Sequence, residues 1–560
     1  MPRSVVVLVL ALVAATLLGL GSYYEAGDDE ALSWLFSGAT AAAPVTAVPL
    51  YFHGFGHGLA AAYTALPGVS WFGLLQAGIL LAATLLYFAV MHALLRPELR
   101  PGWLTGLLAA FFVLGWLEHW LWFSYVRGAL LLAGAAVAWA AQQRGQQQGQ
   151  QRGQRGAWVL GLAGVGVAWL VRPGLAGLAL AAVLPAVLLL AGGWRRAAPL
   201  LAAAALLLLG ATATFALTQP PAAAATRTLD TSLARVLDYE LLTPTPRTGP
   251  DSLGVAATHL WLLGDSALTN PGLYQRAYRF DAPQYLRQLP ARLRLRLGLL
   301  ARDYFPLLLG LLATSLAFWR RRPLRAWFWL VQVGFAGALL LFVALLKLPP
   351  RMALPLLDFW VLNNLVFLVK ARQADAAVAS ADAPFIAVPQ APNLAAWAWP
   401  APWVRRSLGA LALLCLGVYA AKTGHRRHTL GAEQRRHERA LNALAQLPNH
   451  ELLVLAGTQD WGKSLSPFRV YRLGAGPVLA LSGWPAHDAS QGRWRRALTG
   501  SRGQPGALRR LAARPPGAVV WLLGHPEAAV LNRRLAPVHW RCLAPFAADT
   551  AVAFYQPERR

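Results

Sequence analysis

Long runs of apolar residues constrain this chain more than anything else in it. About eleven stretches approach the ~20 residues that a helix needs to cross a bilayer, at 4–23, 71–95, 103–122, 128–142, 157–171, 174–193, 198–217, 298–319, 326–346, 352–370 and 407–421. In hydrocarbon every backbone N–H and C=O must be satisfied internally, so such runs fold as a helical bundle. A hydrophobic fraction of 56% and a mean hydropathy of +0.43 exclude an ordinary soluble protein. The reading is therefore a mainly α, polytopic membrane domain with a small C-terminal α/β domain.

The formal charge of +27 is carried almost wholly by arginine, since Lys347, Lys370, Lys422 and Lys463 are the only lysines. In a soluble protein this would suggest nucleic acid, but here the charge falls in short loops between apolar runs, which sets membrane orientation instead. Arg96 and Arg100, then Arg144, Arg152 and Arg155, then Arg195 and Arg196 flank alternate loops. Arg320, Arg321, Arg322 and Arg325 follow, then Lys370 and Arg372, then Arg405 and Arg406. One side therefore reads as cytoplasmic, and no nucleic-acid partner is expected. Cys415 and Cys542 make neither a disulfide framework nor a metal motif. No strong signal-peptidase site follows Leu20, although Ala26 leaves cleavage open.

Three segments fall on the other, extracytoplasmic side: loop 24–70, loop 218–297 and the tail from about Thr423. These divide the chain into a membrane domain, 1–425, and an extracytoplasmic α/β domain, 426–560. In the tail, Glu451–Ala456, Ala518–Leu523 and Ala551–Tyr555 read as buried strands, with helical patterns at Glu433–Gln446 and Ala507–Ala513. Gln142–Gly156 is a Gln/Gly/Arg linker and 373–402 an Ala/Pro-rich loop; both read as disordered. Glu30–Gly38 and Gln284–Leu300 carry apolar residues at helical spacing and suit helices lying along the membrane surface. In the second, Arg287, Arg292, Arg294 and Arg296 would meet headgroups.

Nucleotide-binding and soluble metalloenzyme motifs are absent. The chemistry concentrates in Gly27-Asp28-Asp29-Glu30, just beyond the first apolar run. Adjacent carboxylates repel unless a cation or donors compensate, as a catalytic base or ion site requires. The simpler account is that Asp28 caps a short helix. Acids facing arginines on one side suit a phosphorylated lipid: guanidinium forks the phosphate while a carboxylate deprotonates an acceptor hydroxyl. His53 and His57 could join Asp28, Asp29 and Glu30 around a divalent cation. Glu118-His119 reads as an ionisable pair at the membrane face, or as part of an aromatic belt with Trp116, Trp120 and Trp122. Asp265 lies in the second outer loop, where it contacts an acceptor or caps a turn.

The layout resembles the GT-C superfamily of polytopic glycosyltransferases, such as protein O-mannosyltransferases and lipid A aminoarabinose transferases. The resemblance rests on Gly27-Asp28-Asp29-Glu30, on His57-Gly58-Leu59 through Trp71-Phe72, on Trp169-Leu170-Val171-Arg172-Pro173 and on Lys347-Leu348-Pro349-Pro350-Arg351-Met352-Ala353-Leu354-Pro355. It covers residues 1 to about 422; Met352 replaces the tyrosine of the late element, and the tail matches no pattern. It implies an inverting enzyme; the Arg-for-Lys bias and low-complexity linkers fit a bacterium with GC-rich DNA, so the membrane would be a bacterial inner membrane and the outer side periplasmic. Asp28 or Asp29 would be the general base, and Arg351, with Lys347 and Arg172, would neutralise the phosphate of a polyprenyl-phosphate-linked sugar donor. The acceptor would be an envelope glycan, glycolipid or protein. Competing readings are an O-antigen polymerase or ligase, a lipid-linked glycan transporter, and a non-catalytic assembly protein.

Overall fold

The computed structural model describes residues 1–146, 151–239, 241–319, 324–381, 402–447, 451–474 and 476–559. Helices cover every one of the apolar runs. Among the described residues, seven helices are long and apolar enough to span a membrane: Trp71–Leu95, Pro101–Leu121, Pro173–Leu190, Trp194–Thr218, Ala282–Trp319, Arg325–Leu345 and Pro350–Asp375. Arg3–Gly19 and Arg155–Val171 are shorter apolar helices, and helices Tyr125–Gln146 and Pro402–Ala445 take the remaining two runs. The chain is thus a mainly α, multi-pass membrane protein.

Small residues let the innermost helices approach closely. A Cβ on Gly164 would lie 2.4 Å from Ala136 Cβ, and one on Gly161 2.7 Å from Ala140 Cβ. That is the small-residue packing expected where lipid supplies no hydrophobic drive between helices. Helix Tyr125–Gln146 is the hub, packing on those at 71–95, 151–171 and 173–190.

Two low-complexity stretches differ from expectation. The centre of the Gln/Gly/Arg linker, 147–150, and residues 382–401 of the Ala/Pro-rich loop lie outside the described residues, as do Arg320, Arg321 and Arg322. Where described, both stretches are helical, continuing the helices Tyr125–Gln146, Gln151–Val171 and Pro350–Ala381. Composition without periodicity conceals a helix that extends an apolar one.

The outer helices also differ. The first, Gly27–Ser37, is not a free amphipathic helix; it buries Asp29, Glu30, Leu32, Ser33, Leu35 and Phe36 and packs on the bundle helix Trp71–Leu95 and on turns of the α/β domain. Ala26, not Asp28, holds its N-cap position, with no side-chain bond. The second continues into a membrane helix, Ala282–Trp319, broken at Tyr304 (φ −123°, ψ 24°) just ahead of Pro306, whose ring cannot accept the preceding helical turn. Its Arg296 donates to the carbonyl of Leu346 at 2.8 Å instead of reaching outward alone.

The C-terminal domain is a five-stranded mixed sheet in the order 478–480, 452–456, 519–524, 552–559, 538–545. The first three strands are parallel and the last two antiparallel to their neighbours. Strands 452–456, 519–524 and 552–559 and helices 402–445 and 504–512 fall where their apolar patterns place them. Strand 538–545 escapes such a pattern because most of it is exposed.

This domain sits on segment 24–70 through two backbone bonds and one from a side chain. Tyr24 N–H donates to Leu465 O at 2.9 Å, Ser464 N–H to Tyr24 O at 2.9 Å, and Ser70 Oγ to Pro467 O at 2.7 Å. Glycines make the approach sterically feasible: a Cβ on Gly27 would lie 2.4 Å from Gln459 O, and one on Gly73 1.7 Å from Pro467 O. Gly27→Ala and Gly73→Ala should therefore each weaken docking by about 1–3 kcal/mol. The expected result is a lower thermal midpoint and faster proteolysis within 451–559, read by mass spectrometry of limited digests; unchanged digestion would contradict it.

Candidate active site

Glu25 organises the site. The two-residue strands Tyr23–Tyr24 and Trp122–Phe123 pair in parallel, and Glu25 N–H donates to Phe123 O at 2.8 Å. That places the Glu25 carboxylate against Arg127 (Nε 2.9 Å, Nη2 2.8 Å), with the Arg127 side chain wholly buried. Its other oxygen accepts the backbone N–H of Arg351 at 2.9 Å. This N–H belongs to the first turn of helix Pro350–Ala381, whose donors have no partner within the helix, and an anion there also meets the positive end of the helix dipole.

With its backbone so held, Arg351 brings its Nη1 to 3.9 Å from Asp28 Oδ2. The Asp28 side chain is 41% exposed and Arg351 23%. Glu25 and Asp29 also act electrostatically on Arg351. Arg172 lies over the Tyr51 ring at 5.2 Å and within 3.5 Å of Tyr125 Oη. Tyr51 packs edge-on against Trp484 of the α/β domain at 5.6 Å. Lys347, exposed at the end of the preceding helix, acts on Asp238 together with Arg351 and Arg172. Between Lys347 and Arg351, Leu348 takes φ 37° although it precedes Pro349, a position that proline normally drives to extended backbone. Such a sparsely populated conformation persists only where its surroundings impose it.

Asp29 is different from Asp28. It is fully buried, its Oδ1 accepts Gln76 Nε2 at 3.0 Å and Tyr125 N–H at 3.1 Å, and its Oδ2 has no hydrogen-bond partner among the described residues. Burial pushes its carboxyl up to about 7, while Tyr125 N–H, the Arg351 charge and Gln76 oppose the rise. Burial, then Asp29, raises Glu30, whose charge acts on Tyr24 and Tyr63.

The structure brings Asp28, Asp29, Arg351, Arg172 and Lys347 into one electrostatic neighbourhood. It does not bring His53, His57 or Asp265 there. His53 packs at a tilt against Phe215 at 4.2 Å and near Trp169 at 5.6 Å, and burial, then Arg227, lowers it to about 4. His57 is exposed on helix Phe55–Ala65. Among the described residues, no group of three or more His, Cys, Asp or Glu side chains is placed to hold a metal ion. Asp265 pairs with Arg534 at 2.7 Å and accepts Ala267 N–H at 3.0 Å, joining the second outer loop to the α/β domain and closing a turn. Glu118 receives Lys422 at 2.7 Å and Arg426 at 2.6 Å from helix Pro402–Ala445, and its neighbour His119 pairs with Asp358 at 2.8 Å.

Sequence reading missed Glu25, Arg127, Asp230 and Asp238. Glu25 lies two residues before the acidic motif, and Arg127 opens an apolar run; a lone charge at a span boundary is a signal, though not a specific one. Asp230, in helix Pro221–Leu237, is pushed up to about 6 by burial, against the pull of Arg172. Burial also raises Asp238, with Lys347 opposing.

No family model and no curated protein sequence matches this chain. Two solved structures are similar to it. One is the crystal structure of ArnT from Cupriavidus metallidurans bound to undecaprenyl phosphate, with 15% identity and a TM-score of 0.47, covering 99% of this chain and 97% of that one. The other is the same ArnT in the apo state, with 14% identity, a TM-score of 0.39 and the same coverage.

Two outcomes follow from this geometry. Asp29 binds its proton more tightly folded than unfolded, so its contribution to stability is present below about pH 4 and lost as pH rises toward 7. The thermal midpoint of Asp29→Asn should consequently fall less between pH 4 and 7 than that of the wild type, and parallel curves would contradict the assignment. Arg127→Met leaves Glu25 buried without its cation and should cost about 3–5 kcal/mol, read as a lowered midpoint that Glu25→Gln in the same chain partly restores.

Proposed function

We propose that the protein is a GT-C-type membrane glycosyltransferase. It would move a sugar from a polyprenyl-phosphate-linked donor to a cell-envelope glycan, glycolipid or protein on the outer face of a bacterial inner membrane. The observation that carries the reading is the Asp28–Arg351 pair, a solvent-reaching carboxylate 3.9 Å from a guanidinium at the end of a membrane helix. Base and phosphate-binding cation must line one site, because the nucleophile and the leaving group share one anomeric carbon; they flank it from opposite faces in an inverting transfer, so the pair would part as the substrates enter between them.

Asp28 is the general base. Its carboxylate is open, whereas Asp29 is sealed in and has its Oδ1 occupied, so Asp29 serves as a support. Asp28 takes the proton of the acceptor hydroxyl as that oxygen bonds to the anomeric carbon. The bond from this carbon to the lipid phosphate breaks with inversion, and the polyprenyl phosphate leaves. Arg351, with Arg172 and Lys347, takes up the charge on the departing phosphate.

An apolar groove of about 660 Å³ between helices Pro173–Leu190 and Arg325–Leu345 supports a lipid substrate; Leu178, Pro185, Trp327, Phe335 and Phe342 line it. Phe342 stands near the end of the helix that leads to Lys347, which offers the prenyl chain a berth below the cations. The basic loops at the opposite end of the bundle support an extracytoplasmic site. Residues 426–560 would then form an extracytoplasmic domain over the membrane part, 1–425.

Transfer from a sugar-linked undecaprenyl phosphate, assayed in membranes, tests the reading. Asp28→Asn should lower kcat by about 10²–10⁴-fold with bound donor little changed. Arg351→Ala should lower kcat/KM by about 10²–10³-fold. Full activity in Asp28→Asn together with loss in Arg351→Ala would favour a polymerase- or ligase-like enzyme that relies on arginine alone.

A further inference from the structure

Two cavities open at the end of the bundle opposite Asp28, both against the start of helix Arg3–Gly19. One, of about 510 Å³, reaches helix Tyr125–Gln146; the other, of about 400 Å³, reaches helix Pro101–Phe111. Pro2, His92 and Arg96 stand in the wall of both. His92 lies in the last turn of helix Trp71–Leu95, whose other end sends Gln76 to Asp29. Sixteen residues part Gln76 from His92, or about 24 Å at ~1.5 Å per residue. The cavities are therefore remote from Asp28 and its cations.

Their rim is positive and lacks the groups that normally balance it. A helix start leaves N–H groups unpaired and carries partial positive charge, so polar caps and early acids are preferred there. Helices Arg3–Gly19 and Pro101–Phe111 both begin here with no side-chain cap bond and no acid in the first turn. Arg3 opens the first, and Arg100 holds the N-cap position of the second. Arg96 has no ion pair with a carboxylate among the described residues, and Glu98, between Arg96 and Arg100, is held by Arg372 at 3.4 Å. The Arg96 charge acts on the His92 ring, which is 9% exposed and makes no hydrogen bond among the described residues. Membrane orientation calls for cations on this side. It does not call for two bare helix starts, an arginine without an acid and an unbonded histidine around one hollow. An anion would complete all of them.

The remaining walls say which kind of anion. Val5, Leu8, Leu104 and Leu108, all from apolar helices, line the 400 Å³ cavity beyond Arg96 and Thr105. A free anion would leave that surface uncovered, whereas a phosphate that carries acyl chains covers both parts. Basic pockets between membrane helices on the cytoplasmic side hold such headgroups. We propose that these cavities bind an anionic phospholipid of the leaflet on the side of the basic loops. Its phosphate would lie between Arg96 and the two helix starts, with an acyl chain along Leu8, Leu104 and Leu108. The proposal needs no sugar and involves none of the residues around Asp28, so it stands or falls separately from the glycosyl-transfer reading.

Native mass spectrometry of the full-length protein in a neutral detergent tests it, with phosphatidylglycerol and phosphatidylcholine as probes. Phosphatidylglycerol should bind at lower concentration than phosphatidylcholine, and Arg96→Gln should weaken it about tenfold or more, the loss expected for a hydrogen bond to a charged group. Thr105 is exposed in the wall of the smaller cavity, so Thr105→Trp should block the acyl path, and weaken binding, with every cation in place. That variant decides the matter if Arg96→Gln fails to insert. Arg351→Ala should leave the adducts unchanged. Equal binding of the two lipids, or phosphatidylglycerol binding indifferent to Thr105→Trp, would overturn the proposal. Loss in Arg351→Ala with none in Arg96→Gln would do the same, because the lipid would then sit on the outer cations. Inorganic phosphate that raises the thermal midpoint as much as phosphatidylglycerol does would assign the hollow to a free anion and overturn the lipid.

Discussion

The Glu25 carboxylate is the interaction on which the outer architecture depends. One oxygen receives the Arg127 guanidinium and the other the first-turn N–H of Arg351. Three segments far apart in sequence are thereby fixed at one point: the end of the first membrane helix, the start of the central helix Tyr125–Gln146, and the start of helix Pro350–Ala381. A carboxylate so deep is tolerable because a cation and a helix N-terminus share its charge. The Arg351 backbone is held while its side chain stays free to face Asp28.

The acidic motif illustrates how one local segment can carry several jobs. Gly27 lets backbone approach backbone at the α/β domain, Asp28 faces the cations, Asp29 is sealed beneath, and Glu30 turns toward Tyr24 and Tyr63. Successive helical residues are about 100° apart, so four neighbours can address four surroundings. The raised carboxyl of Asp29 follows from this arrangement, because a helix whose outer face must meet solvent places the next residue inside.

Much of the fold was legible because apolar runs are long and non-local competition is weak in hydrocarbon. The membrane helices and the buried strands of the tail follow from that. The placement of helix Gly27–Ser37 does not, because nothing in Ala31, Leu32, Trp34, Leu35 and Phe36 distinguishes a face that meets lipid from one that meets a folded domain. For the candidate site, Asp28 and Asp29 stood out as adjacent acids beyond an apolar run, and the GT-C resemblance pointed to Arg351, Arg172 and Lys347. Glu25, Arg127, Asp230 and Asp238 could not be named, since their meaning arises only when strand pairing and the second outer loop bring them in. His53 shares a loop with the acidic motif in sequence, but its ring lies among Phe215 and Trp169.

Helix Pro402–Ala445 runs unbroken for 44 residues, or about 66 Å at ~1.5 Å per residue. Roughly 30 Å of hydrocarbon accounts for less than half of that length. The remainder acts as a mast that ends in the first strand of the α/β domain, with Glu118 gripping it near its foot through Lys422 and Arg426. A domain mounted this way cannot tumble independently of the membrane. Farther along it Glu433 meets Lys463 of the α/β domain at 3.1 Å, so a tilt at the Glu118 grip would carry that domain with it.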